Sequence, residues 1–303
     1  MAADPIPALE SFGYTDREAA FLYLAAAHSG YFLRRQFDYF IDRNKGSISM
    51  RFLEKARLAE HIESLDYKQG WRVYHIASRG IYRLLGNPES QLRRRKGDAQ
   101  VRARLMALDY VLENENDYYL ASAQERLRFF AEVRGISPEL FTDDDGKLHP
   151  LLGSFPLSLT DRTRPVHSPV RFAFIDEGLV TAEKFLRFLA VADPLLRAIN
   201  KFEMVYVSVA DSHFEDAKAA FWKRLAGEPR RTPNLFDDGS PLVTMQPHVP
   251  LQPRFTTLLL GYSYPILQRN EARGSDRVRI CKRKEVITDG FTSTWQANKG
   301  NSG

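Results

Sequence analysis

TDREAAFLYLAAAHSGYFLRRQFDYFIDRNKGSISMRFLEKARLAEHIESLDYKQGWRVYHIASRGIYRLLG, residues 15–86, reads as an ordered series of local structures. Thr15-Asp16-Arg17-Glu18 has the Ser/Thr-x-x-Glu form of a capping box, which satisfies two of the unpaired amides at a helix start. The apolar residues Ala19, Phe21, Leu22, Leu24 and Ala25 come after it at helical spacing. Gly30 breaks that helix, and Tyr31-Phe32-Leu33 leads into a second, shorter one through Phe37, Tyr39, Phe40 and Ile41. A polar turn, Asn44-Lys45-Gly46-Ser47, opens a third helix over residues 48–59. Residues 61–67 and 71–76 alternate in the manner of strands and are joined by Lys68-Gln69-Gly70, which predicts a hairpin. A short helix over residues 78–85 closes at Gly86. Three helices and a hairpin in this order predict a winged helix-turn-helix over residues 14–86, a common arrangement for docking on DNA.

The third helix is readable position by position. Ile48, Phe52, Ala56 and Ala59 recur at three- and four-residue spacing and are expected to pack on the first two helices. Ser47, Arg51, Glu54 and Arg57 face away, with Lys55 on the border. Ser47 or Ser49 suits the cap, where free amides favour a phosphate. Arg51 lies early enough to reach a base edge, and Ser49 joins it as a candidate. Lys55, Arg57 and the hairpin residues Lys68 and Arg72 are expected on phosphates. The run Arg93, Arg94, Arg95 and Lys96 just beyond the hairpin extends this basic surface.

Bulk properties bound the rest. The chain has 303 residues, 44% hydrophobic and 27% charged, values of a folded protein with room for more than one core. Lys and Arg number 43 against 38 Asp and Glu, a net charge of +5, so a nucleic-acid partner must be argued from clustering and not from the total. Cys281 is the sole cysteine, which rules out an intrachain disulfide and a cysteine-built zinc site. The opening Met1-Ala2-Ala3-Asp4-Pro5 lacks a signal-peptide pattern, and no apolar run approaches membrane-spanning length. The expectation is a soluble, cytoplasmic protein with no membrane partner.

Residues 1–13, with Pro5 and Pro7, read as a loose tail. Residues 87–135 read as a basic linker and two helices, the first carrying Val101, Leu105, Leu108 and Leu112, the second Leu120, Ala123, Leu127 and Phe130. From residue 150 to 287 the pattern becomes strand–helix–strand–helix: residues 170–175, 181–199, 202–209 and 213–225, with a short strand near 155–159 and later ones at 255–260 and 277–280. That rhythm predicts a parallel or mixed α/β sheet. Residues 288–303 read as a disordered polar tail. The fold class expected for the whole is α+β.

The order of these parts, with the strand Tyr74-His75-Ile76, the helix start Ser78-Arg79-Gly80 and the segment Phe172-Ala173-Phe174-Ile175-Asp176-Glu177-Gly178, resembles the plasmid replication-relaxation family across residues 14–225. The resemblance implies a winged-helix protein of a plasmid or conjugative element, acting on DNA in replication, transfer or their control. It also implies a C-terminal sheet like a degenerate restriction-endonuclease core. A working core of that kind sets an Asp on one strand and an acid-x-Lys pair on the next, to hold a divalent metal and orient water. Here Asp176 and Glu177 end a strand, but Gly178 and Leu179 stand where the lysine belongs. Asp161 is the only acid upstream, and Lys184 lies on the following helix. Asp176 and Glu177 equally suit the start of the helix near residue 181.

Other motifs are plain. The seven histidines show no metal-ligand spacing, and no phosphate-cradling glycine loop is present, so no cofactor is expected. Asp143-Asp144-Asp145-Gly146 lacks the further ligands of a calcium loop. Tyr118 and Tyr119 are expected on a helix. Phe129, Phe130, Phe185, Phe188, Phe221 and Trp222 are expected in the core. Three readings result. The first is a non-enzymatic binder of double-stranded DNA, whose second domain serves a homodimer or a protein partner. The second is a metal-dependent nuclease or relaxase-like enzyme using Asp176, Glu177 and Lys184. The third is a protein–protein adaptor.

Overall fold

The computed structural model describes residues 5–41, 47–67, 71–177, 183–199, 201–226, 252–260 and 285–288, and these build a mixed α+β architecture. Pro5 and Pro7, expected in a loose tail, instead open helix α1 (Pro5–Glu10). Proline's fixed φ suits a first helical turn, and Leu9 is fully buried in the core that the next helix builds. Helix α2 (Asp16–His28) starts on the capping box as read: Thr15 Oγ1 accepts from the Glu18 amide, and Glu18 Oε2 accepts from the Thr15 amide at 2.9 Å. Beyond the helix, Gly30 takes φ +76°, and a Cβ there would collide with the Leu92 carbonyl oxygen. Only glycine fits both demands.

Tyr31-Phe32-Leu33 is a strand, β1 (Tyr31–Leu33), and not merely a lead-in. Helices α3 (Arg34–Phe40) and α4 (Ser47–Leu58) come next, then β2 (Ile62–Asp66) and β3 (Arg72–Ile76). The three strands form an antiparallel sheet in the order β1-β3-β2, with Phe32 opposite Tyr74 and Ser64 opposite Tyr74 on the other side. Helix α5 (Arg79–Leu84) ends at Gly86, which takes φ +72°.

Helix α6 (Asp98–Glu113) is the hub of the molecule. Every residue from 105 to 112 is buried, so the helix has no solvated stripe there and is enclosed on all sides. Leu108 and Leu112 join the core of α2, α3 and α4, while Leu105, Met106, Tyr110 and Val111 join the larger core of the second sheet. Tyr31, Leu33 and Val73, from the back of the small sheet, also belong to that larger core. Residues 87–135, read as a connector, therefore supply both cores with packing.

The second sheet has the order β4-β5-β6-β7-β8-β9. Its strands are β4 (Tyr118–Tyr119), β5 (Leu157–Leu159), β6 (Val170–Asp176), β7 (Lys201–Ser208), β8 (Gln252–Leu259) and β9 (Glu285–Thr288). β6, β7 and β8 run parallel; β4, β5 and β9 are antiparallel to their neighbours. Helix α7 (Ala123–Arg128) continues into a π-turn (Phe129–Val133), and α8 (Pro150–Gly153) precedes β5. Helices α9 (Glu183–Ile199) and α10 (Phe214–Ala226) link the parallel strands and pack on one another. Phe174 meets Phe185, Phe188 and Tyr206, and Phe221 meets Phe202 and Phe255, so alternate positions of β6, β7 and β8 face α9 and α10.

Several expectations need correction. Tyr118 and Tyr119 pair with Leu159 and Ser158 on a strand and are not helical. Trp222 is 40% exposed, because α10 buries Phe221 and turns the next side chain outward. The final strand is Glu285–Thr288, rich in β-branched residues, so Thr288 pairs with Thr256 and does not begin a tail. The expected strand at 277–280, Lys68 and residues 289–303 lie outside the described residues. Asp143 accepts from the Asp145 and Lys147 amides, which makes residues 143–147 an ordinary acidic turn.

Candidate functional sites

The third helix, α4, is held by Phe52, Leu53 and Ala56 against the aromatic cluster of Phe21, Phe32 and Phe37. Phe37 and Phe52 stack at 4.1 Å. Arg51, Glu54 and Arg57 are exposed on the opposite side, as their spacing predicts. Two candidates on this helix are committed elsewhere. Ser49 is fully buried and its hydroxyl donates to the Asp38 carboxylate on α3, so it fastens the two helices together and is closed to a ligand. Lys55 Nζ donates to Glu18 Oε2 at 2.5 Å and to the Gly13 carbonyl at 2.9 Å, and lies over the Tyr14 ring. It anchors the start of α2. Arg51, Lys55 and Arg17 border a cleft between α2 and α4 that also includes Thr15 and Ile48.

The basic run stands apart from α4. The small sheet turns Phe32 and Tyr74 toward α4, and Tyr31 and His75 toward residues 91–96. Tyr31 and His75 stack at 4.3 Å, the Tyr31 hydroxyl accepts from the Lys96 amide, and Arg95 pairs with Glu63 at 2.7 Å. Arg93 reaches Glu89 at 4.0 Å, and Arg94 is exposed. One continuous surface through α4 and Arg93, Arg94, Arg95 and Lys96 is thus not what the fold provides: the sheet lies between them. Arg72, at the hairpin, is exposed and pairs with Asp66 at 2.7 Å. The His75 ring is buried, which pushes its pKa down and keeps it neutral on the sheet.

A second cluster forms at the carboxyl ends of β6 and β7. The two-residue period that points Phe174 at α9 carries Asp176 to the same face, beside Tyr206 of the neighbouring strand. Asp176 Oδ2 accepts from the Tyr206 hydroxyl at 2.7 Å and lies 3.1 Å from His213 Nδ1. Burial, and then the bond to Asp176, raise the Tyr206 pKa, so this group stays a donor. Glu177 accepts from Lys184 Nζ through both oxygens, at 3.0 and 3.2 Å. Asp176 and Glu177 are each 4% exposed, and Arg102 of α6, 6% exposed, lies within their electrostatic reach. The fold therefore unites Asp176, Glu177 and Lys184, as the sequence could not, and leaves Asp161 in its own turn with Thr163 and Ser168.

No family model, curated protein or solved structure matches the chain. The sites are accordingly judged on geometry. Among the described residues, no group of three or more His, Cys, Asp or Glu side chains is placed to hold a metal ion. In this cluster Tyr206 and His213 share Asp176 Oδ2, and Lys184 engages both oxygens of Glu177. Arg102, Tyr206 and His213 escaped the sequence reading. Tyr206 alone carried a usable signal, since it shares a strand face with Met204 and Ser208; His213 reaches the cluster from a loop, and Arg102, on a distant helix, bears on it only electrostatically. Among the described residues, no helix is long and apolar enough to cross a membrane.

Proposed function

We propose that the chain is a DNA-binding protein of a bacterial plasmid or mobile element, with residues 14–86 acting as a winged helix-turn-helix. The observation that carries this reading is the setting of α4: one face locked in an aromatic cluster, the other presenting Arg51 and Arg57 to solvent. The order helix, strand, helix, helix, hairpin around it supports the same reading. Arg51 serves a base edge, Arg57 and Arg72 serve phosphates, and double-stranded DNA is the substrate. Placement in plasmid replication or transfer rests on the resemblance of residues 14–225 to the replication-relaxation proteins. The α/β region acts without catalysis, as a platform for a partner or a second copy, since one winged helix covers a single half-site.

The test is anisotropy of labelled mixed-sequence duplex across a salt series. Binding by wild type, with the slope of log K against log salt reduced by about one in Arg57→Ala, is the expected result. A chain that retains no duplex at low salt is not a DNA reader, and a stable protein partner would then make it an adaptor. The nuclease reading keeps one observation in its favour, the contact of Lys184 with Glu177. Magnesium-dependent nicking of plasmid, lost in Asp176→Ala, would establish it.

A further inference from the structure

The cleft between α2 and α4 has a volume of about 440 Å³, within the range of small-molecule sites. Helix α3 contributes Phe37 and Ile41 to its lining, and α4 contributes Ile48. Ile48, Arg51 and Lys55 are three and four residues apart, which sets them along one stripe of α4. The charged lining holds three cations, Arg17, Arg51 and Lys55, against one acid, Glu18. Lys55 and Glu18 satisfy one another at 2.5 Å. Arg17 and Arg51 therefore carry the uncompensated charge. Both are exposed, and neither forms an ion pair among the described residues. Arg51 spends only its Nε, on the Ser47 carbonyl at 3.4 Å, which leaves the amino ends of its guanidinium to a ligand. Arginine offers a planar fork of donors that matches a carboxylate. The apolar side chains in the same lining disfavour a bare hydrated ion and suit hydrocarbon.

We propose that this cleft binds a small organic carboxylate, with the charged head on Arg17 and Arg51 and the hydrocarbon body on Phe37, Ile41 and Ile48. Such a ligand draws on Arg51, the side chain assigned above to a base edge. Occupancy of the cleft and reading of a duplex compete for that one guanidinium, so the ligand acts as a release signal. The site itself stands without DNA binding; only the release rests on that reading.

The experiment is equilibrium dialysis of the full chain against 2-naphthoate, at ionic strength held constant with chloride, for wild type, Arg17→Gln and Arg51→Gln. Wild type is expected to bind saturably at one site. Each variant, changed at an exposed position that the fold does not use, is expected to raise the Kd about tenfold. The uncharged 2-naphthamide tests the head group, and inorganic phosphate as a competitor tests the body. No saturable uptake by wild type overturns the proposal, as does an unchanged Kd in both variants. So does 2-naphthamide binding as tightly as 2-naphthoate, or phosphate displacing it at equal concentration. Anisotropy of labelled duplex, with and without saturating 2-naphthoate, reads the release. The duplex Kd is expected to rise about tenfold, and a Kd that does not move removes the release. A duplex that never binds, beside saturable uptake of 2-naphthoate, defeats the DNA reading and leaves the carboxylate site supported.

Discussion

Ser49 and Lys55 sit on the helix expected to meet DNA, yet each side chain is spent inside the protein. Lys55 closes a chain of contacts through Glu18 to the amide of Thr15, so it holds the cap of α2. Lys55→Met is expected to lower stability by about 1–2 kcal/mol in urea unfolding while leaving duplex affinity nearly unchanged. Arg57 and Arg94 make the complementary pair. Both are exposed, but only Arg57 shares a surface with Arg51, so Arg57→Ala should reduce the salt slope more than Arg94→Ala. His28 offers a test by pH. Burial, reinforced by Arg126, lowers its pKa from 6.5 to about 3. The unfolded chain takes up the proton near 6.5 and the folded one only near 3, so stability is full above the upper value and lost as pH falls through that interval. Acid titration of His28→Gln should show a flatter loss over the same range. Residue types and spacing revealed the outward face of α4. They did not reveal that Lys55 has a partner 37 positions away, because a border residue carries no mark of its tertiary contact.

At the scale of elements, α6 and the close approach at Gly30 set the architecture. Asp109 is the one charged residue between Leu105 and Leu112, and it accepts from both Arg35 amino groups, at 2.9 and 2.7 Å, and from Gln36 at 2.8 Å. Burial pushes its pKa up, with Arg35 and Gln36 opposing. Asp109→Ala removes the buried acceptor that Arg35 and Gln36 share on α6 and is expected to cost about 3 kcal/mol in urea unfolding. Gly30→Ala joins a left-handed φ to a collision with the Leu92 carbonyl and should cost at least about 2 kcal/mol, read in the same way. The near-continuous apolar run Leu105-Met106-Ala107-Leu108 was the legible sign that α6 is enclosed. The spacing of Val101, Leu105, Leu108 and Leu112 alone does not separate an enclosed helix from a connector. The strands of the second sheet were legible because β6 and β7 are long and apolar. β4, of two residues, is held by its neighbour β5 and gave no periodic signal.

For the whole molecule, the decisive fact is that the back of the small sheet and the second sheet enclose the same helix. Tyr31, Leu33 and Val73 rest in the larger core, so residues 1–97 made alone would expose them. Calorimetry of the full chain should show one transition, with calorimetric and van't Hoff enthalpies equal, and the 1–97 fragment should show no cooperative transition. Two separate transitions would mean that α6 is a spacer. The helix also joins Arg102 near one end to Asp109, clasped by α3, near the other. A displacement of the helix at its Arg102 end is therefore transmitted to α3 and, through the Ser49–Asp38 bond, to α4. Thermodynamic linkage makes such an arrangement symmetrical: whatever free energy one core imposes on the other through the helix, it receives back. A helix that serves two cores leaves neither end of the protein able to respond in private.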